Sequence, residues 1–92
     1  MMMNLGQTVM SRGIADKVSD NEKFAKQVTY FFDLFIQGDW GDASEDDADY
    51  NDANLQIGKG SLMGAYETCE GRIWIMTEYD RSVTTILFPN EY

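Results

Sequence analysis

Ninety-two residues with a mass of 10.5 kDa suffice for one domain and leave too little interior for a second. Apolar residues make up 43% of the chain and aromatics 13%, which supports a small core and is too rich for a disordered tail. Seven Lys and Arg stand against sixteen Asp and Glu, a net charge of −9, which excludes a simple basic nucleic-acid binder and a polybasic membrane-surface protein.

In chain order, Met1-Met2-Met3-Asn4-Leu5-Gly6 has neither the basic nor the apolar region of a secretory signal. Gln7 to Ile14 reads either as an extra strand over about 7–12, ending at Arg12-Gly13, or as an irregular lead-in. Ser19-Asp20-Asn21-Glu22 matches a capping box, in which a serine hydroxyl and a glutamate satisfy the first backbone donors of a helix. Phe24, Val28, Phe31 and Phe35 then recur on one helical face, widened by Phe32 and Ile36, and Gly38 suits the stop. The pattern predicts a helix over about 20–37.

Gly38-Asp39-Trp40-Gly41-Asp42 follows as a turn with an aromatic inside it. A second helix is predicted over about 44–57, capped by Asp42 or Ser44 and stopped at Gly58. Its apolar stripe (Ala48, Leu55, Ile57) is thin, and it is expected to lie on the first helix with a wide solvated face. Runs at about 62–68, 72–78 and 82–88 are rich in β-branched and aromatic residues, separated at hairpin length by Cys69-Glu70-Gly71 and Tyr79-Asp80-Arg81. Ile73, Ile75 and Thr77 alternate with Trp74, Met76 and Glu78, and Pro89 ends the last strand. The expected fold is α+β: two helices packed on a three- to four-stranded antiparallel sheet, a single two-layer domain.

Charge is distributed unevenly. Residues 1–26 sum to +1 and residues 59–92 to −2. Residues 27–58 carry Asp33, Asp39, Asp42, Glu45, Asp46, Asp47, Asp49 and Asp52 with no base, a sum of −8. Like charges at helical spacing cost a few tenths of a kcal/mol per pair, roughly, so the block works against its own helix. It reads as a solubilising face, as a negative surface imitating nucleic-acid phosphates, or as an irregular divalent-cation site. Duplex DNA carries a charge about every 1.7 Å, and a helix rising about 1.5 Å per residue presents carboxylates at comparable density. Asp47, Asp49 and Asn51 fit the first ligands of a calcium loop. An EF-hand is excluded because Asp52 stands where glycine is required and Gly58 where a glutamate is.

Little else carries chemistry. The chain has no histidine, so the commonest general base and zinc ligand are missing. Cys69 stands alone, which excludes an internal disulfide, and with no histidine in the chain it has no obvious base to activate it as a nucleophile. The glycines form no phosphate-cradling motif and no cofactor is implied. Glu78, Asp80 and Arg81 read as turn residues, Arg81 bridging to Glu78 or Asp33. No 18-residue apolar run is present, and a cytoplasmic, non-enzymatic protein is expected. Trp40 reads as a plug joining helix to sheet, the alternative being an exposed anchor in an interface. Trp74 reads as core or as cover for a sheet face.

Two strings, Gly38-Asp39-Trp40-Gly41-Asp42 and Thr77-Glu78-Tyr79-Asp80-Arg81-Ser82-Val83-Thr84-Thr85-Ile86-Leu87-Phe88-Pro89, resemble a family of small, poorly characterised bacterial proteins carried on phages, plasmids and other mobile elements. The resemblance runs from about Gly6 to Tyr92, with an acidic block poorer here in glutamate. It brings no catalytic residue with it. It implies a mobile-element setting, in which small acidic proteins often inhibit host restriction or CRISPR nucleases.

The leading expectation is therefore a protein partner with a basic surface, which the resemblance implies to be a defence nuclease. Asp39, Trp40, Asp42, Glu45, Asp46, Asp47, Asp49 and Asp52 would engage it, with no direct nucleic-acid or membrane contact. The alternative is a small structural or regulatory domain that binds a protein through its sheet face at Tyr66, Trp74 or Tyr79, the acids only solubilising. Pairing of edge strands between two copies stays open at this point.

Overall fold

Isolated apolar runs become a core only when the strands find their order, and that order is the main departure from expectation. The computed structural model describes residues 4–92; the N-terminal Met1–Met3, on which part of the no-signal reading falls, lie outside the described residues. The elements are β1 (Gln7–Met10), α1 (Arg12–Asp20), α2 (Glu22–Ile36), α3 (Glu45–Ile57), β2 (Leu62–Thr68), β3 (Gly71–Thr77) and β4 (Val83–Leu87), then a 3-10 turn over Pro89–Glu91. They form one α+β domain with a four-stranded sheet in the order β1-β4-β3-β2. β2, β3 and β4 form an antiparallel meander, but β1 pairs parallel with β4, so the sheet is mixed rather than antiparallel. Local patterning fixes which residues extend, whereas the partner of a lone N-terminal strand is chosen by the long crossover that follows it.

The helices number three, not two. Ser11 caps α1, its Oγ accepting from the Ile14 N–H at 3.2 Å, and Ile14 and Val18 supply the inward contacts. This helix takes up Ser19 and Asp20, so the cap of α2 is Asn21 rather than Ser19. The Asn21 Oδ1 accepts from the Phe24 N–H at 3.1 Å, while its Nδ2 donates to Glu70 at 2.7 Å. Asn21 thereby ties the helix start to the β2–β3 turn. The third helix has its expected extent but packs against β2 rather than lying on α2.

One sheet face and the helices enclose the core. Leu62, Tyr66, Ile73, Ile75 and Ile86 meet Ile14, Phe24, Val28, Phe35 and Trp40, all buried. Tyr66, expected on an open sheet face, instead lies inside, stacked on Phe31 at 5.1 Å, with its hydroxyl donating to the Asp39 carbonyl at 2.7 Å. Burial, then the nearby Asp39, pushes that hydroxyl far above the usual tyrosine range. On the opposite face Met63, Trp74, Met76 and Thr85 are half-buried, and Tyr92 packs edge-on against Trp74 at 5.9 Å. Thr77 and Thr84 are buried and share a hydroxyl bond of 2.7 Å. No described helix is long and apolar enough to cross a membrane.

Candidate functional site

The acidic helix is built from strong local signals. The Ser44 Oγ accepts from the Asp47 N–H at 3.1 Å, and Glu45, Asp46 and Asp47 occupy the first turn, where exposed amides favour negative charge. Gly58 ends the helix in the left-handed region at φ 76°, donating to the Asn54 carbonyl at 3.0 Å.

Amides, rather than a greasy stripe, hold α3 in place. Its two buried residues are Asn51 and Asn54. The Asn51 Nδ2 donates to the Met63 carbonyl at 2.6 Å and its Oδ1 accepts from the Met63 N–H at 3.0 Å, so one side chain stands in for a neighbouring strand. Asn54 Nδ2 donates to the Ser61 carbonyl at 2.8 Å. Trp40 Nε1 donates to Asp52 Oδ1 at 2.8 Å, and the indole is buried edge-on against Phe35 at 5.3 Å. Ala48 and Leu55 add half-buried contacts to the core.

Below the helix, the Gly38–Asp42 turn extends the same edge. The Ala65 N–H donates to the Trp40 carbonyl at 3.1 Å, and the Asp42 N–H to the Ala65 carbonyl at 2.7 Å. Gly41 bridges Ala65 in parallel at φ 64°, and a side chain there would run into the Ala65 carbonyl. Arg81 closes the far end. It is buried at φ 62° and donates to the carbonyls of Gly60 (2.6 Å), Asn54 (3.1 Å) and Asn4 (3.2 Å). The expected bridge from Arg81 to Glu78 or Asp33 is thus replaced by three carbonyls, one at the negative end of α3. Burial lowers the Arg81 pKa. Asp80 accepts from the Ser82 N–H at 3.0 Å, and its hydrogen bonds with Ser82 hold its carboxyl below the usual range.

The eight sequence-predicted residues therefore separate. Trp40 is a plug and offers no exposed anchor, and Asp52 is its partner, although still exposed. Asp39 turns back to accept from the Gly41 N–H at 3.0 Å. Asp42 Oδ2 lies 3.9 Å from Arg72 Nη2, the one ion pair among the described residues that touches the block. Glu45, Asp46, Asp47 and Asp49 are exposed on α3, and no described base pairs with them. At 100° per residue, Glu45, Asp46, Asp49, Ala53 and Ile57 lie opposite Asn51 and Asn54, with Tyr50 beside them. Tyr50 is 53% exposed and Ile57 63%, so the outer face joins carboxylates to two apolar side chains.

Asn51, offered by its spacing only as a calcium-loop ligand, and Asn54 were not expected as anchors; Tyr50 was not expected on the outer face, and Ile57, expected in the inward apolar stripe, turns outward instead. The signal for the first two was the thinness of the apolar stripe itself: a helix with little grease to bury must be held by polar contacts. Among the described residues no group of three acids or thiols converges as a metal site. Cys69 is exposed at the β2–β3 turn. What this arrangement can do is electrostatic: it holds four uncompensated carboxylates on a fixed helix. Compared with known protein families, with curated proteins and with solved structures, the chain matches none.

Proposed function

We propose that the protein is a non-enzymatic interaction protein whose acidic helix engages the basic surface of a protein partner. The observation that carries this reading is the exposed, unpaired set Glu45, Asp46, Asp47 and Asp49, all but Asp47 on the outer face, on a helix fixed by Asn51 and Asn54. Fixing the helix beforehand lowers the ordering cost of binding. Carboxylates spaced along a rigid rod at about the charge density of duplex DNA fit a channel shaped for phosphates. The partner is accordingly a nucleic-acid-binding protein, and the mobile-element resemblance narrows it to a defence nuclease such as a restriction or CRISPR enzyme. Tyr50 and Ile57 would supply the apolar contact that bare charge lacks.

The test is capture of partners from host extract, washed through a salt series with and without competing duplex DNA. Wild type retains a nucleic-acid-binding protein that salt and DNA release, because such attraction is screened within about 8 Å at physiological ionic strength. The Asp46→Lys/Asp47→Lys/Asp49→Lys variant keeps its fold and loses the partner. Equal capture by that variant would end the proposal. A partner resistant to both salt and DNA favours a second reading, binding on the outer sheet face. There Trp74 and Met76 are half-buried and Tyr79 is 70% exposed.

A further inference from the structure

The two edges of the sheet are treated unequally. At the β2 edge, Asn51 satisfies both backbone groups of Met63, and the Trp40 and Asp42 backbones satisfy those of Ala65. At the β1 edge, Gln7 donates to the Ser82 carbonyl and Ser11 to the Ile86 carbonyl, so the odd-numbered peptides turn toward β4 and those of Thr8 and Met10 turn away. Neither outward pair has a hydrogen-bond partner among the described residues, and Thr8 and Met10 are both exposed. Gln7-Thr8-Val9-Met10 also lacks the usual guards of an edge: it holds no proline, no lysine and no other charge.

We propose that this edge is where a second copy of the chain docks, antiparallel about a two-fold axis. The register follows from the outward peptides. Thr8 of one copy pairs with Met10 of the other, and the converse, giving four backbone hydrogen bonds. Val9 then lies against Val9 of the second copy on the outer sheet face, extending the row formed by Thr85 and Met76. The half-exposed Met10 side chain, on the inner face with Ile86, is covered by Thr8 of the other copy.

Charge selects this edge, over any surface nearer α3, as the place where a second copy docks. β1 is uncharged and residues 1–26 sum to only +1, so like edges meet without repulsion. The acidic block lies beside β2, at the far edge of the sheet. In the paired eight-stranded sheet the two acidic helices stand at opposite ends, roughly 33 Å apart at about 4.8 Å per strand. That is several times the Debye length of about 8 Å at physiological salt. A dimer through any surface nearer α3 would bring the −8 segments together.

Sedimentation equilibrium of the full chain, from micromolar to millimolar concentration, tests this. The average mass rises from 10.5 kDa toward twice that value. Thr8→Pro, which deletes an outward N–H and leaves the bonds to β4 in place, holds the chain at monomer mass with unchanged circular dichroism. Val9→Lys and Val9→Glu each weaken dimerisation at least tenfold alone, and an equal mixture of the two restores it, as facing side chains at a two-fold require. Wild type at monomer mass throughout, Thr8→Pro dimerising like wild type, or the mixture behaving like its components would each overturn the proposal. The first of these results would give the edge to another protein's strand or to solvent. The acidic-helix reading is untouched by any of them, since the lysine-reversed α3 variant retains this edge.

Discussion

Asn51 and Met63 pair as two peptide groups would, although one of them is a side chain: the amide donates at 2.6 Å and accepts at 3.0 Å from a strand that has no further strand beside it. A sheet edge closed in this way is protected from pairing with other chains, and the closing residue is also the anchor of the acidic helix. Stability and presentation of the carboxylates therefore depend on the same side chain.

Replacing Asn51 with Leu, which keeps the branched shape of the side chain, removes both bonds and leaves the Met63 backbone groups unsatisfied beside an apolar group. Each of the two stranded groups costs about 1–3 kcal/mol, so a loss of about 2–6 kcal/mol is expected in urea unfolding. For a domain of this size each kcal/mol lowers the melting temperature by roughly 4–8 °C. A loss under about 0.5 kcal/mol, the usual range for surface changes, would mean that the pair contributes nothing to stability.

Trp40 and Asp52 make a second, separable anchor. Asp52→Ala leaves the Trp40 Nε1–H without its acceptor and is expected to cost about 1–2 kcal/mol. Asp52→Asn keeps an oxygen in place and costs less than half of that. Asp46→Asn, on the outer face, changes stability by under about 0.5 kcal/mol, because relief of like-charge repulsion is offset by the loss of a negative charge from the first turn of α3. Tryptophan fluorescence during denaturation ranks the three variants.

Glu91 fastens the chain end to the start of α1. The Ser11 hydroxyl donates to it at 2.6 Å, with the Phe88 and Gly13 N–H groups both at 2.9 Å, and these bonds, Ser11 foremost, hold its carboxyl below the usual glutamate range. The unfolded chain therefore binds this proton at higher pH than the folded one. The associated stability is fully present above the ordinary glutamate pKa of about 4.3 and is lost as pH falls through the lower folded value. Comparing wild type with Glu91→Gln isolates the effect: their stability difference is constant above about pH 5.5 and narrows in acid. A difference that stays constant down to pH values of about 3 would show that the carboxylate is not the group being titrated.

The parts legible in the sequence are those with dense apolar periodicity. α2 carries Phe24, Val28, Phe31 and Phe35 on its inward face, and β3 alternates buried isoleucines with Trp74 and Met76, so both announce themselves. α1 does not, because nine residues with Ile14 and Val18 inward give too short a stripe, and Ser19 competes with Asn21 as a start signal. Asn21 wins by closing Phe24 and reaching Glu70 in the same conformation. The parallel pairing of β1 is a long-range choice that no local pattern encodes. The acidic block was legible as charge, but its attachment was not: Asn51 read only as a calcium-loop ligand and Asn54 as one more polar residue in a polar segment. Trp40 illustrates the converse, since an aromatic between two Gly-Asp steps was legible as a plug, while its bond to Asp52 required the folded geometry.

The attachment of α3 through a few amides separates what this helix is from what it displays. Glu45, Asp46, Asp49, Tyr50, Ala53 and Ile57 contribute to neither the buried cluster nor the edge bonds of β2. They can be rewritten one by one without disturbing the scaffold beneath. The helix is in effect an exchangeable label on a fixed mount: new outer-face sequences can be written onto the same four-strand frame, in the laboratory or by drift, while its folding instructions stay the same.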